Sequence, residues 1–152
     1  MDSSSDAPKS KSRPSCFRMY DFGMKKYEQA PEETPDRAKS CYAIAAAWLS
    51  RALPQIEGLP HHEREEMDFP LEYSRVGECY HKAGYIKSAI GAYEKSIELD
   101  PDFSDAWSGL GAVHISAWDY SKGFEALKTA RDLEKLFTSQ PHEVYNDDIL
   151  AA

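Results

Sequence analysis

The sequence predicts an all-α fold, a stack of antiparallel helix pairs, and three observations predict it. Residues 70–103 and 104–137 align without a gap at an offset of 34, and self-similarity at such a period marks a solenoid of short supersecondary units. Small residues fall at matching places in the two copies, Gly77 and Ala89 in the first, Gly111 and Gly123 in the second, where two packed helix axes approach most closely. Upstream, Cys16–Gln29 and Arg37–Leu53 carry apolar residues densely enough for two more helices, which gives about six in all.

Each element has its own reason. Residues 1–15 hold six serines (Ser3, Ser4, Ser5, Ser10, Ser12, Ser15) with Pro8 and Pro14, and only Met1 and Ala7 are apolar. Such a stretch cannot bury enough surface to offset its ordering entropy, so it reads as a disordered tail. The folded domain is expected over 16–137, with 138–152 a tail or short capping segment. Ala30 to Pro35 interrupts the first helix, and Pro35-Asp36 begins the second, which Pro54 is expected to end or bend. Glu57 to Glu72 holds six acids against Arg64 and reads as the solvated start of the next helix. In the first copy Ala83-Gly84 makes the turn between two helices and Asp100-Pro101 stops the second. In the second copy Lys135 stands where the closing proline would be, so the last helix should reach about Phe137 or Thr138. The expected core comprises Tyr73, Val76, Tyr80, Ala89, Tyr93, Trp107, Leu110 and Leu127.

Composition removes several functions. Lys and Arg number 18 against 26 Asp and Glu, a formal net charge of -8, whereas nucleic acids and anionic membranes call for a clustered basic excess. No apolar run approaches the length of a membrane span, and the first residues lack the apolar middle of a signal peptide. The chain reads as soluble and cytoplasmic. Cys16, Cys41 and Cys79 are odd in number and widely spaced, which suits buried thiols in a reducing compartment rather than disulfides or a zinc site. His62 and Glu66 stand four apart on a possible helix without a third ligand to close a metal sphere, so no metal is expected. Ser108-Gly109-Leu110-Gly111 lies inside a repeat helix and reads as a packing feature, not a phosphate loop. With no HExxH or GxSxG pattern either, neither an enzyme nor a cofactor is expected.

The order Tyr73-x2-Val76-Gly77-x2-Tyr80, Ala89-x3-Tyr93, Pro101 recurs as Trp107-x2-Leu110-Gly111-x2-His114, Gly123-x3-Leu127. With Ile97-Glu98-Leu99-Asp100-Pro101 it resembles the tetratricopeptide repeat family. Met19-x2-Phe22-Gly23 and Ala45-x3-Leu49-x2-Ala52-Leu53 resemble a degenerate first pair with an insertion of about ten residues, and they supply the third unit that an independent stack needs. The resemblance implies a protein-interaction module, an adaptor or scaffold whose first helices line a concave groove for a peptide or helix of another protein. Groove positions implied by it are Leu71, Ser74, Arg75, Glu78, His81 and Lys82, then Asp105, Ser108, Gly109, Ala112, Ile115 and Ser116. Arg75, Glu78, His81, Lys82, Ser108, Ala112 and Ile115 are the candidate binding residues. Such walls suit a mixed or partly apolar segment. In clamp-type cochaperones of the family, basic and amide side chains hold acidic chaperone tails; the matching positions here are Tyr20, Met24, Arg75, Asp105 and Gly109, of which Arg75 alone is basic. The alternative is a structural subunit, a homo-oligomer or a permanent member of a larger assembly, joined through exposed repeat ends.

Overall fold

A computed structural model describes residues 12–139, so most of the serine-rich tail and nearly all of 138–152 lie outside the described residues. Six α-helices follow one another: α1 (Ser15–Gln29), α2 (Pro35–Glu57), α3 (Phe69–Ala83), α4 (Ile86–Leu99), α5 (Ser104–Ser116) and α6 (Tyr120–Thr138). Among the described residues there is no strand. The helices pack as three hairpins, α1 with α2, α3 with α4 and α5 with α6; α2 rests on α3 and α4 on α5, and α3 also meets α5.

The hairpins share one register. Gly23 lies against Leu49, Gly77 against Tyr93 and Gly111 against Leu127, the same contact three times. An offset of 54 carries α1 onto α3 end for end. The extra residues of the first hairpin are 30–41, which stand where Gly84 and Tyr85 alone join α3 to α4. Part of that insertion is a 3-10 turn at Ala30–Glu32 and part lengthens α2 at its start. The insertion joins the core at Ala30 and Cys41, which pack with Tyr42, Ala45 and Ala46 of α2 and with Cys79 and Ala83 of α3.

Five of the eight expected core residues, Tyr73, Val76, Ala89, Tyr93 and Leu110, are buried, but Tyr80, Trp107 and Leu127 are only half-buried. Two have a polar tip to satisfy. The Tyr80 hydroxyl donates to Ser50 Oγ at 3.1 Å, and the Trp107 indole N–H donates to the Pro101 carbonyl at 2.8 Å, so each ring packs on the core while its polar tip is held toward its acceptor. Leu127 is covered by Gly111 on one side, and no further described helix covers the other. Two other expectations are corrected. Pro54 does not stop α2, which continues for a turn to Glu57 because Ala52, Leu53 and Ile56 are wholly buried there. Only the end of the acidic stretch starts a helix: residues 58–68 make just a 3-10 turn at His61–Glu63, and α3 begins at Phe69 behind Asp68, whose carboxylate accepts from Leu71 N. The exposed side chains of 58–68 bury no apolar face that would hold a helix in place.

Both repeat turns close in the same way. Gly84 follows α3 with φ +89°, and Tyr85 N donates to the Tyr80 carbonyl at 2.8 Å. In the second copy Asp119 N donates to the His114 carbonyl at 2.9 Å, but the left-handed position is held by Trp118 at φ +65°. A bulky residue there is strained by about 1–2 kcal/mol. Trp118→Gly is therefore expected to stabilise the domain by about 1 kcal/mol, read as a higher midpoint in thermal denaturation; a lower midpoint would mean that Trp118 makes a contact outweighing its strain.

Candidate functional site

The first helices of the three hairpins, with one ring from α4, border an open cleft of about 480 Å³. Tyr27 comes from α1, Leu71, Ser74, Arg75 and Glu78 from α3, and Asp105, Ser108, Gly109 and Ala112 from α5, while Tyr93 of α4 forms the floor. Gly109 explains the floor. A Cβ at this position would run into the Tyr93 ring, with the hydroxyl only 2.7 Å away, so its absence lets the ring pack against the α5 backbone beneath the cleft, where Tyr93 keeps 5% exposure.

The basic side chains near the cleft are already engaged. Arg75 Nη1 donates to Glu72 Oε1 at 2.6 Å, and the Glu72 carboxylate is itself buried. Burial raises the Glu72 carboxyl above the ordinary carboxylate range, while Arg75 opposes that shift. Lys82 pairs with Glu78 at 2.7 Å and donates to the Tyr42 hydroxyl at 3.2 Å. Its hydrogen bond to Glu78 holds the ammonium above its usual range. The Tyr27 hydroxyl donates to Glu78 Oε2 at 2.8 Å, joining α1 to α3, and burial followed by this bond pushes Tyr27 up to about 12. Tyr93 is also held well above its usual range, chiefly by burial, so the floor is a neutral phenol.

Of the seven candidate residues, Arg75, Glu78, Ser108 and Ala112 line the cleft. His81 is turned to Ser116 Oγ at 2.8 Å, bridging α3 and α5, and burial lowers its pKa. Lys82 reaches back to α2, and Ile115 packs toward Gly123 of α6. Tyr27 and Tyr93 were not among the candidates. The signal for Tyr27 was available: with Gly23 matched to Gly77, Tyr27 takes the same repeat position as His81 and Ile115. Tyr93 reads as core from sequence and is indeed buried, reaching the cleft only at its edge.

The Ser116 hydroxyl that meets His81 donates its proton to the Ala112 carbonyl at 2.9 Å, so the pair reads as a bridge between α3 and α5. Among the described residues no group of three His, Cys, Asp or Glu side chains is placed to hold a metal. All three cysteines are buried and free, and burial pushes the Cys79 thiol up to about 12. No described helix is long and apolar enough to cross a membrane.

Comparison with known proteins agrees with this geometry. Residues 70–103 match the tetratricopeptide repeat family. Hsp70-Hsp90 organizing protein 1 of Glycine max is 39% identical over 56 residues, covering 37% of this chain and 10% of that protein. Hsp70-Hsp90 organizing protein 3 of Arabidopsis thaliana is 36% identical over 56 residues, with the same coverage of both. The matched segment thus spans only a tenth of these relatives. The Sgt2 TPR domain of Aspergillus fumigatus superposes with a TM-score of 0.57 at 22% identity, covering 80% of this chain and 68% of that one. Residues 70–103 are thus a tetratricopeptide repeat, and the six helices of the described residues share the fold of a tetratricopeptide-repeat domain.

Proposed function

We propose that this chain is a non-catalytic cytoplasmic adaptor that holds a partly apolar peptide or helix of a partner protein in its concave cleft. The observation that carries the reading is the open cleft between α3 and α5, where Leu71, Ala112 and the accessible edge of Tyr93 lie among Ser74, Ser108 and the Tyr27 hydroxyl. An apolar lining with small, polar borders offers apolar contact and a few oriented hydrogen bonds, the usual composition of a recognition cleft. Peptides selected from a random library on the immobilised domain should carry an aliphatic or aromatic anchor. Ala112→Arg should abolish their binding without altering the circular dichroism spectrum. Selection of a uniformly acidic consensus, or binding indifferent to Ala112→Arg, would overturn the reading.

The relatives are named as organizers of Hsp70 and Hsp90, which makes acidic chaperone tails the obvious ligand to try. Binding in the clamp manner is not expected. A carboxylate clamp needs cations free to make charge-assisted hydrogen bonds, but Arg75 is held by Glu72 at 2.6 Å. At the other wall Asp105 would repel an anion and Gly109 offers no side chain. Isothermal titration calorimetry with a chaperone tail peptide should show no salt-sensitive micromolar binding. Such binding, lost on Arg75→Ala, would move the function to a chaperone adaptor.

A further inference from the structure

Among the described residues, the N-terminal end of the stack has an uncovered face unlike the rest of this acidic chain. Because α1, α3 and α5 share a register, equivalent positions can be compared. Glu72, Val76 and Cys79 of α3 are buried, as are Ala106, Leu110 and Val113 of α5. At these positions α1 carries Arg18, Phe22 and Lys25, all exposed. The second helices show the same contrast: Ala92 and Ala126 are buried within the stack, whereas their counterpart Trp48 is 38% exposed. Phe22 and Trp48 meet edge to face at 5.1 Å, and Ile44, one turn from Trp48, extends the patch. Arg51, one turn along α2, adds a third exposed cation. Arg18, Lys25 and Arg51 make no ion pair with another described residue. Terminal repeats ordinarily turn a polar face to solvent, so an aromatic pair ringed by unpaired cations is a departure that calls for a partner.

We propose that this end docks an acidic amphipathic helix of a partner polypeptide, seated on the outer face of α1 and α2 in the way that α2 lies on α3 and α4 lies on α5. Continuity with those two junctions specifies a helix, and the cations around Phe22 and Trp48 specify acidic flanks. A second copy stacked head to tail fits less well, because beside Phe124 the far end of α6 carries Lys128, Arg131 and Lys135, which would bring like charges together. The surface is separate from the concave cleft and does not depend on its occupant.

The test uses the full chain and a stapled amphipathic helix of Leu, Ala and Glu, with a control peptide bearing Lys for each Glu. In two-dimensional NMR the acidic peptide should shift the signals of Arg18, Phe22, Lys25 and Trp48, and the Lys peptide should not bind. The double variant Arg18→Glu/Lys25→Glu should weaken binding by at least about tenfold; Phe22→Ser serves if that variant does not fold. Absence of shifts, shifts confined to Ser108 and Ala112, or equal binding of both peptides would overturn the proposal. So would a concentration-dependent dimer that Trp48→Ala dissociates, since the occupant would then be a second copy.

Discussion

Gly109→Ala is expected to lower the unfolding free energy by about 3 kcal/mol, at the upper end of what overpacking costs. The added methyl would collide with the Tyr93 ring, whose hydroxyl lies 2.7 Å from the new carbon. That ring cannot swing aside: Tyr93 is only 5% exposed and is held from a second direction by Gly77, where a Cβ would come within 2.8 Å of it. Two first helices thus grip one ring from α4, and either must move to admit a side chain. Gly111 is confined differently, by Leu127 at 2.7 Å and the Gly123 carbonyl at 3.0 Å, so a large residue there would push two backbones apart. Gly91 is the internal control, because nothing lies within 4 Å of its Cβ position. Gly91→Ala should stabilise α4 by about 0.8–1 kcal/mol, the difference in helix propensity. Chemical denaturation of the four variants should place Gly91→Ala above wild type, with Gly109→Ala, Gly77→Leu and Gly111→Leu below it. A neutral Gly109→Ala would mean that α3 and α5 do not share the Tyr93 ring.

The same glycines show how far the sequence could be read. The 34-residue offset makes Gly77 and Gly111 equivalent, and each meets its own second helix, so the pairing of α3 with α4 and of α5 with α6 follows from spacing. What Gly77 meets does not follow. Ala89 was the expected neighbour, but the ring of Tyr93, one turn further along, fills the space, because an aromatic side chain reaches across a gap that a methyl leaves open. Burial at Tyr80, Trp107 and Leu127 was overestimated for a related reason. A repeat pattern records which side chains face a neighbour, but not where a hydroxyl or indole N–H must find an acceptor, nor where the stack ends. The candidate groove was legible as a set of faces. Its charge balance was not, since the pairing of Arg75 with Glu72 and of Lys82 with Glu78 and Tyr42 depends on side-chain directions that spacing leaves open. Trp118 in the place of Gly84 could be seen by aligning the copies, yet its left-handed backbone is evident only from the structure.

Removing residues 1–56 should abolish cooperative folding of the remainder, the largest effect expected of any change to this chain. α2 is not an accessory to the repeats. Its Leu49 and Leu53, wholly buried, pack with Tyr73 and Val76 of α3 and with Ala92 of α4. Its Tyr42, Ala45 and Ala46 pack with Cys79 and Ala83. Burial of a leucine is worth about 1.5–3 kcal/mol, so losing Leu49 and Leu53 alone approaches the 5–15 kcal/mol that holds a typical domain folded. The shortened chain would also expose Tyr73, Val76, Cys79 and Ala83 as one apolar face along α3, a surface that favours aggregation. Two hairpins fall below the roughly three units that a helical repeat stack needs to stand alone. Circular dichroism should show helix that melts over a broad range without a sigmoidal transition, and light scattering should show association that rises with concentration. If residues 57–152 instead remained monomeric and unfolded cooperatively, α1 and α2 would be an appendage, and the shared register of the three hairpins would carry no energetic weight.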